Sequence, residues 1–385
     1  MNKNFLTNCA LIVGGFILAI ILDVARPQES FLSPQSALAT TWELFVVLGP
    51  ILGFISAREA SRFRLFVEQR PSSLIIPRIW LRSIAPFQVL SFLLALGYFI
   101  TEDGFATDLW RLGIFFCALH IFIWSLVGAV LGLFLPFLVA LPLALFLPFA
   151  LLAYPPALNN PAWRYMFGQA GGICCEVDQS LDPLFIRASS IMLITLVVAS
   201  VLALAAKTTS QALKLSLLGA SAILLVAGGS TSYVQASDGN YYMTVQRNQS
   251  EMICSATDCV WPETPPEYVE ANRQAANSLG LHNAFFVDKT EPEPASKPNN
   301  FNLVHITDID ELRNYIIGQR LSRDSELAQM DSCWSDDDGP VSVAHAITDV
   351  SPDVLHAATL DAAGHLRTDI DRTALRNAVN SGCGA

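Results

Sequence analysis

The chain has 385 residues, 52% of them hydrophobic and only 15% charged, with a mean hydropathy of +0.42 and a formal net charge of -11. Apolar residues this abundant, gathered in long blocks, exclude an ordinary soluble enzyme and identify an integral membrane protein. The charge is split: residues 1–234 carry 13 Lys and Arg against 11 Asp and Glu, whereas residues 235–385 carry 10 against 23, an acidic balance that excludes nucleic acid as a partner.

The first apolar block, Phe5 to Val24, follows Lys3 and lacks a small-x-small cleavage pattern, since Asp23, Arg26 and Pro27 close it; it reads as a retained first helix. Further blocks of the length a bilayer demands, about 17 to 25 helical residues, run from Trp42 to Ala57, Ser83 to Ile100, Trp110 to Phe134, Phe137 to Tyr154, Ser189 to Ala206 and Leu215 to Val234. The count is about seven spans. The stretch from Trp110 to Tyr154 would extend roughly 67 Å as one helix at about 1.5 Å per residue, so it must fold back, near Leu133 to Phe137. Pro142 and Pro148 predict kinks in the returning helix.

Between the second and third spans lies the segment 58–82, which holds six arginines. With the N-terminus inside, the inner segments hold Lys3, these six, Lys207 and Lys214, against Arg26, Arg111, Arg164 and Arg187 outside; the bias favours a cytoplasmic N-terminus and an extracytoplasmic C-terminal domain. The first part of the segment, REASRFRLFVEQR, is amphipathic if helical. Arg58 and Arg62 stand one turn apart on a cationic face, and Phe63, Phe66 and Val67 form an apolar stripe, the pattern of a helix lying on the membrane surface.

This orientation places Cys174, Cys175, Cys254, Cys259, Cys333 and Cys383 on the oxidising side, with Cys9 and Cys117 inside helices. Six cysteines allow 15 connectivities; the pairings expected are Cys254 with Cys259 and Cys333 with Cys383, while the adjacent Cys174 and Cys175 either pair with each other or stay reduced. His120 is the one ionisable group well inside a predicted span. It is a functional candidate on that ground, with a hydrogen bond to a neighbouring helix as the alternative.

Residues 238–385 read as a small α+β domain. A strand is expected at Tyr241 to Arg247, a helix from Thr264 or Pro265 to Gly280, a polar, proline-rich loop at Thr290 to Asn300, a helix from Asp308 to about Met330 and a last one from Asp369 to Val379. No HExxH, GxSxG or CxxC motif occurs. The run WSDDDG fails as a calcium loop, because aligning Gly339 at its sixth position puts Trp334 and His345 where carboxylates are needed. His345, His356 and His365 are too widely spaced for one helical face and read as surface histidines rather than a metal site. No catalytic constellation, metal or cofactor is expected.

No phosphate loop exists in the chain, so ATP hydrolysis would need a partner. The stretch GPILGFISAREASRFRLFVEQRPSSLIIPRIWLRS, from Gly49 to Ser83, resembles the permease subunits of type-two ABC exporters, in which a cytoplasmic coupling helix links the second and third spans. LVGAVLGLFLP, from Leu126 to Pro136, and the long outer segment from Pro155 to Ala188 are similar to the same class; ICSATDCVWPETPPEYVEANRQAA resembles the start of the extracytoplasmic domain on an actinobacterial group of such permeases. The seventh span departs from the six-helix core. The resemblance implies an exporter permease of the cell membrane, working as a homodimer or heterodimer. A cytoplasmic ATP-binding subunit would dock on Arg58, Glu59, Arg62 and Arg64. The alternative is a membrane-anchored protein whose acidic outer domain binds or senses a ligand, without transport.

Overall fold

A computed structural model describes residues 3–24, 35–69, 75–101, 105, 109–158, 160, 162–168, 177–239, 244–289, 299–321, 360–361, 365–367 and 373. The chain forms two compact units, Met1–Gln246 and Arg247–Ala385.

The first unit is helical: α1 Lys3–Val24, α2 Ser36–Glu43, α3 Phe45–Gln69, α4 Ile75–Ile79, α5 Ala85–Thr101, α6 Trp110–Phe134, α7 Phe137–Ala153, α8 Ala162–Phe167, α9 Pro183–Ala206 and α10 Gln211–Ser237. Among the described residues of this unit six stretches are long and apolar enough to cross a membrane, and α7, at 17 residues, is shorter. The expected bounds shift where local chemistry overrides hydropathy. The second span does not stop at Ala57: α3 continues to Gln69, since no Gly or Pro follows Ala57 in the sequence before Pro71. The third begins earlier, with α4 and a π-helical turn at Trp80–Ile84 leading into α5. Pro86 has no N–H for the carbonyl of Arg82, and the wider turn, in which Ala85 N–H donates to the Trp80 carbonyl, accommodates that loss. Helix α9 starts before Ser189 because Asp182 caps it, accepting from Leu184 N–H at 2.8 Å, and Pro183 fits the first turn. The expected fold-back is at Leu135 and Pro136, where Leu135 is held extended by the proline after it.

Helices α3 and α6 meet backbone to backbone. A Cβ placed on Gly128 would lie 2.1 Å from the Gly53 carbonyl oxygen, and one on Gly132 would lie 2.3 Å from that of Ala57. Gly53 also faces α7, where a Cβ would lie 2.5 Å from the Ala144 carbonyl oxygen. Pro148 frees that carbonyl by failing to donate to it, so a helix without a side chain at Gly53 can pack against the kink. Around this seam Trp42, Phe45, Phe116, Trp124, Tyr165 and Phe185 are fully buried. Helices α9 and α10 are joined differently, by Ser221 and Ser232 hydroxyls donating to the carbonyls of Ala199 and Ala188 at 3.0 and 2.8 Å. Much of α1, α7 and α10 presents exposed Leu, Ile, Val and Phe.

A short antiparallel pair, β1 Gln179–Leu181 with β2 Thr244–Gln246, closes the unit; β2 lies within the expected Tyr241 to Arg247 strand. The second unit has a four-stranded sheet of β3 Ile253–Cys254, β4 Asp258–Val260, β5 Phe285–Val287 and β6 Asn300–Asn302, in that order. The β3–β4 pair is antiparallel; β4–β5 and β5–β6 are parallel. Helix α11, Pro266–Ser278, provides the crossover from β4 to β5, and Gly280 ends it at φ +74° as expected of a C-terminal glycine. Helix α12, Ile309–Leu321, packs with α11 over Phe286 and Phe301; Leu312 and Ile316 are fully buried there. The expected helix Asp369 to Val379 and most of the Thr290 to Asn300 loop lie outside the described residues.

Candidate functional site

The arginine-bearing end of α3 is the last part of one long helix, Phe45–Gln69, so the expected helix at 58–70 does not begin as a separate element. Its residues divide by direction. Glu59, 8% exposed, turns inward and accepts from Arg62 Nη1 through both carboxylate oxygens, at 2.9 and 3.0 Å. Arg58 Nη2 stands 3.4 Å from the same carboxylate and donates to Asn8 Oδ1 of α1 at 2.7 Å. Asn8, 1% exposed, returns its amide to Glu59 at 3.4 Å. A carboxylate withdrawn this far from water needs paired donors, and it has three side chains around it. Two residues further along, Ser61 donates to the Gly132 carbonyl of α6 at 3.1 Å. Val67 is buried, whereas Leu65 and Phe66 are 69% and 48% exposed, so the expected apolar stripe of Phe63, Phe66 and Val67 divides, with Val67 packed within the unit and Phe66 at its surface. Arg64 is half-buried and Arg62 is exposed.

Of the four predicted docking residues, then, Arg58 and Glu59 are occupied within the chain, and Arg62 faces both Glu59 and the outside. Asn8 was not singled out from the sequence; the one Asn inside the apolar block from Phe5 to Val24 was the available signal. The glycine seam was also missed, although Gly49, Gly53 and Ala57, like Gly128 and Gly132, recur at the four-residue spacing that brings helices close.

His120 is fully buried on α6 and stacked on Phe45 with ring centroids 5.1 Å apart and planes 10° from parallel. Neither ring nitrogen has a hydrogen-bond partner among the described residues, so the alternative of a bond to a neighbouring helix is not realised there. A Cβ on Gly168, at φ +71°, would lie 3.2 Å from His120 Nε2. Cys254 and Cys259 form the expected disulfide, directly across the β3–β4 pair. Cys174, Cys175, Cys333 and Cys383 lie outside the described residues, as do His345, His356 and the WSDDDG run. Among the described residues no three metal-ligating side chains converge.

In the second unit, the ends of the parallel strands carry a buried polar cluster that the sequence did not announce. Asp288, following β5, accepts from the Thr264 hydroxyl and faces His305 Nε2 at 3.2 Å. Trp261 donates its indole N–H to the Asp288 carbonyl at 2.8 Å, and the Arg247 guanidinium lies over the Trp261 ring at 4.0 Å while pairing with Glu263.

The class defined by this architecture is a mostly helical chain with, among the described residues, six helices long and apolar enough to span a membrane, joined to a unit with a small four-stranded sheet and a disulfide-linked cysteine pair. Compared with known protein families, with characterised proteins and with solved structures, the chain matches none.

Proposed function

We propose that the chain is the membrane-spanning permease subunit of an ATP-driven exporter, energised by a separate ATP-binding subunit that docks on the arginine-bearing end of α3. The observation that carries this reading is the continuity of α3: one unbroken helix runs from the exposed Arg62, Leu65 and Phe66 to the glycine seam with α6 and α7. A push on that end is transmitted through backbone contacts, with no flexible joint between. On this reading α7 is the seventh span, the N-terminus and the 58–82 segment are cytoplasmic, and the unit beginning at Arg247 lies outside, where its disulfide is at home. The docking surface narrows to Arg62 and Arg64 with Leu65 and Phe66, because Arg58 and Glu59 serve α1. Two permeases, alike or related, would pair through exposed apolar helix faces.

Purification of the protein from its native membrane should bring down an ATP-binding subunit, and charge reversal at Arg62 and Arg64 together should release it while leaving the helical content unchanged. Absence of any such subunit, with export unaffected by the reversals, would sink the reading. A membrane-anchored binding or sensing protein is the second reading, favoured by the separate core of the outer unit around Phe286, Phe301 and Leu312. It requires that a fragment from about Asp238 onward keep all the activity.

A further inference from the structure

Strand β6 is an end strand of the second unit's sheet, paired with β5 on one side only. Its main-chain bonds to β5 extend from Asn299, whose carbonyl accepts from Phe285 N–H at 2.8 Å, to Leu303, whose N–H donates to the Val287 carbonyl at 2.8 Å. By the alternation of the ladder, Asn300 and Asn302 turn their main-chain groups to the other side. At Asn302 that side is filled by a side chain. Gln319 of α12 accepts from Asn302 N–H through Oε1 at 2.7 Å and donates from Nε2 to the Asn302 carbonyl at 3.0 Å. One amide thus meets both main-chain groups of one residue, as the facing residue of an antiparallel strand would. Gln319 is only 8% exposed, so these bonds form largely away from water. An open edge is a template for another strand, and sheets resist it with charges, prolines, very short strands or a covering group. The other end strand, β3, has only two residues. Around β6 the sequence NNFNLV, from Asn299 to Val304, has neither a charge nor a proline, and asparagine-rich segments pair readily.

We infer that Gln319 is a block on this edge, standing where β6 of a second copy of this chain would otherwise add. Two β6 strands meeting antiparallel across a two-fold axis at Phe301 set Asn300 of each opposite Asn302 of the other, so the segment is complementary to itself. The groups that face out, those of Asn300 and Asn302, are then the ones that exchange bonds. Gln319 already holds the pair that Asn302 would contribute, and a second strand must displace it before it can dock. The device belongs to the second unit alone and stands whether or not the chain is a permease.

The test uses the full chain in detergent micelles. In the wild type, hydrogen exchange at the Asn302 amide should be slow and independent of protein concentration. Gln319→Leu removes both bonds; in dilute protein it should speed that exchange roughly 25-fold, about fivefold for each bond lost, and at high concentration the protection should return as copies pair. Asn300→Cys placed on the Gln319→Leu chain should be joined to a second copy by a short bis-maleimide, whereas Asn300→Cys alone should not. Gln319→Asn, whose amide is a methylene too short to meet both groups, opens the edge in a second way and must give the same cross-link. Slow exchange within α11 shows that the unit stays folded in both variants. Unchanged exchange at Asn302, faster exchange that concentration does not reverse, or equal cross-linking with and without Gln319 each overturns the inference. So does cross-linking in the native membrane to other proteins in place of a second copy.

Discussion

Gly128→Ala is the sharpest test of how the helical unit is held together. The added methyl carbon would fall 2.1 Å from the Gly53 carbonyl oxygen and 2.8 Å from its Cα, short by 1.3 Å of the 3.4 Å at which ordinary contact begins. The obstructing atoms are backbone, so no rotamer change relieves them. Helix α3 must move away from α6 as a body, and Gly53 cannot simply retreat, because the Ala144 carbonyl of α7 lies behind it. Overpacking of a close-packed core costs about 1 to 3 kcal/mol. Loss of the Ser61 bond to the Gly132 carbonyl adds about 0.6 kcal/mol, the average for such bonds between membrane helices. Replacing Gly by Ala within a helix returns about 0.5 to 1 kcal/mol. The net expectation is destabilisation by about 2 kcal/mol. Unfolding in mixed micelles of rising SDS fraction, followed by the fluorescence of the buried tryptophans, measures it. The controls are Gly97→Ala and Gly219→Ala, where a Cβ meets nothing within 4 Å, and these should be neutral or slightly stabilising. If Gly128→Ala unfolded together with the two controls, the account of the α3–α6 seam would be wrong.

Glu59→Gln should destabilise the helical unit by about 2 kcal/mol, the scale of a lost bond to a charged partner, with most of the loss from Arg58 and Asn8 because exposed Arg62 is screened by water; the same micelle titration reads it. Cys254→Ser should destabilise the second unit by about 2 kcal/mol through the short loop that the disulfide closes, seen as faster proteolysis within that unit and unchanged cleavage elsewhere. Gly280→Ala forces a left-handed residue to carry a Cβ, at a cost of about 1 kcal/mol or more, and because that Cβ would also approach the His365 ring at 3.2 Å, hydrogen exchange should rise at the end of α11.

Helix existence was legible in hydropathy, and so was the fold-back at Pro136, since length and proline chemistry are local properties. Helix ends were less so. The start of α9 depends on the Asp182 cap, and the length of α3 on the absence of a breaker, both hidden from a scan for apolar blocks that stops at the first arginine. The cluster at Glu59 was read as a cationic surface because the sequence shows Arg58 and Arg62 one turn apart but does not show that Asn8 comes to meet them across fifty residues. Cys254 and Cys259 were legible because they stand only five positions apart. The parallel order of β4, β5 and β6 was not, because short strands of three residues leave almost no pattern, and the Asp288 and His305 pair exists only once β5 and β6 lie side by side.

Arg62 joins the two halves of the functional reading. Its guanidinium satisfies Glu59 from the exposed side, while Arg58 and Asn8 hold the same carboxylate from within. On the reading proposed above, an acidic group of an ATP-binding partner that drew Arg62 outward would take from Glu59 its two shortest bonds. The carboxylate would then depend on Arg58 and Asn8, and the grip between α3 and α1 would tighten on Asn8 or fail with it. Docking and the position of α1 are therefore linked through one carboxylate, and the linkage must be reciprocal. A substitution at Asn8, which is buried and out of a partner's reach, should change how tightly the partner binds. Leu65, 69% exposed and with no polar group to offer Glu59, should change docking without moving α1. Cross-linking α1 to α3 through paired cysteines, with and without partner, distinguishes the two, and equal cross-linking yields in Arg62→Gln and Leu65→Ala would remove the link.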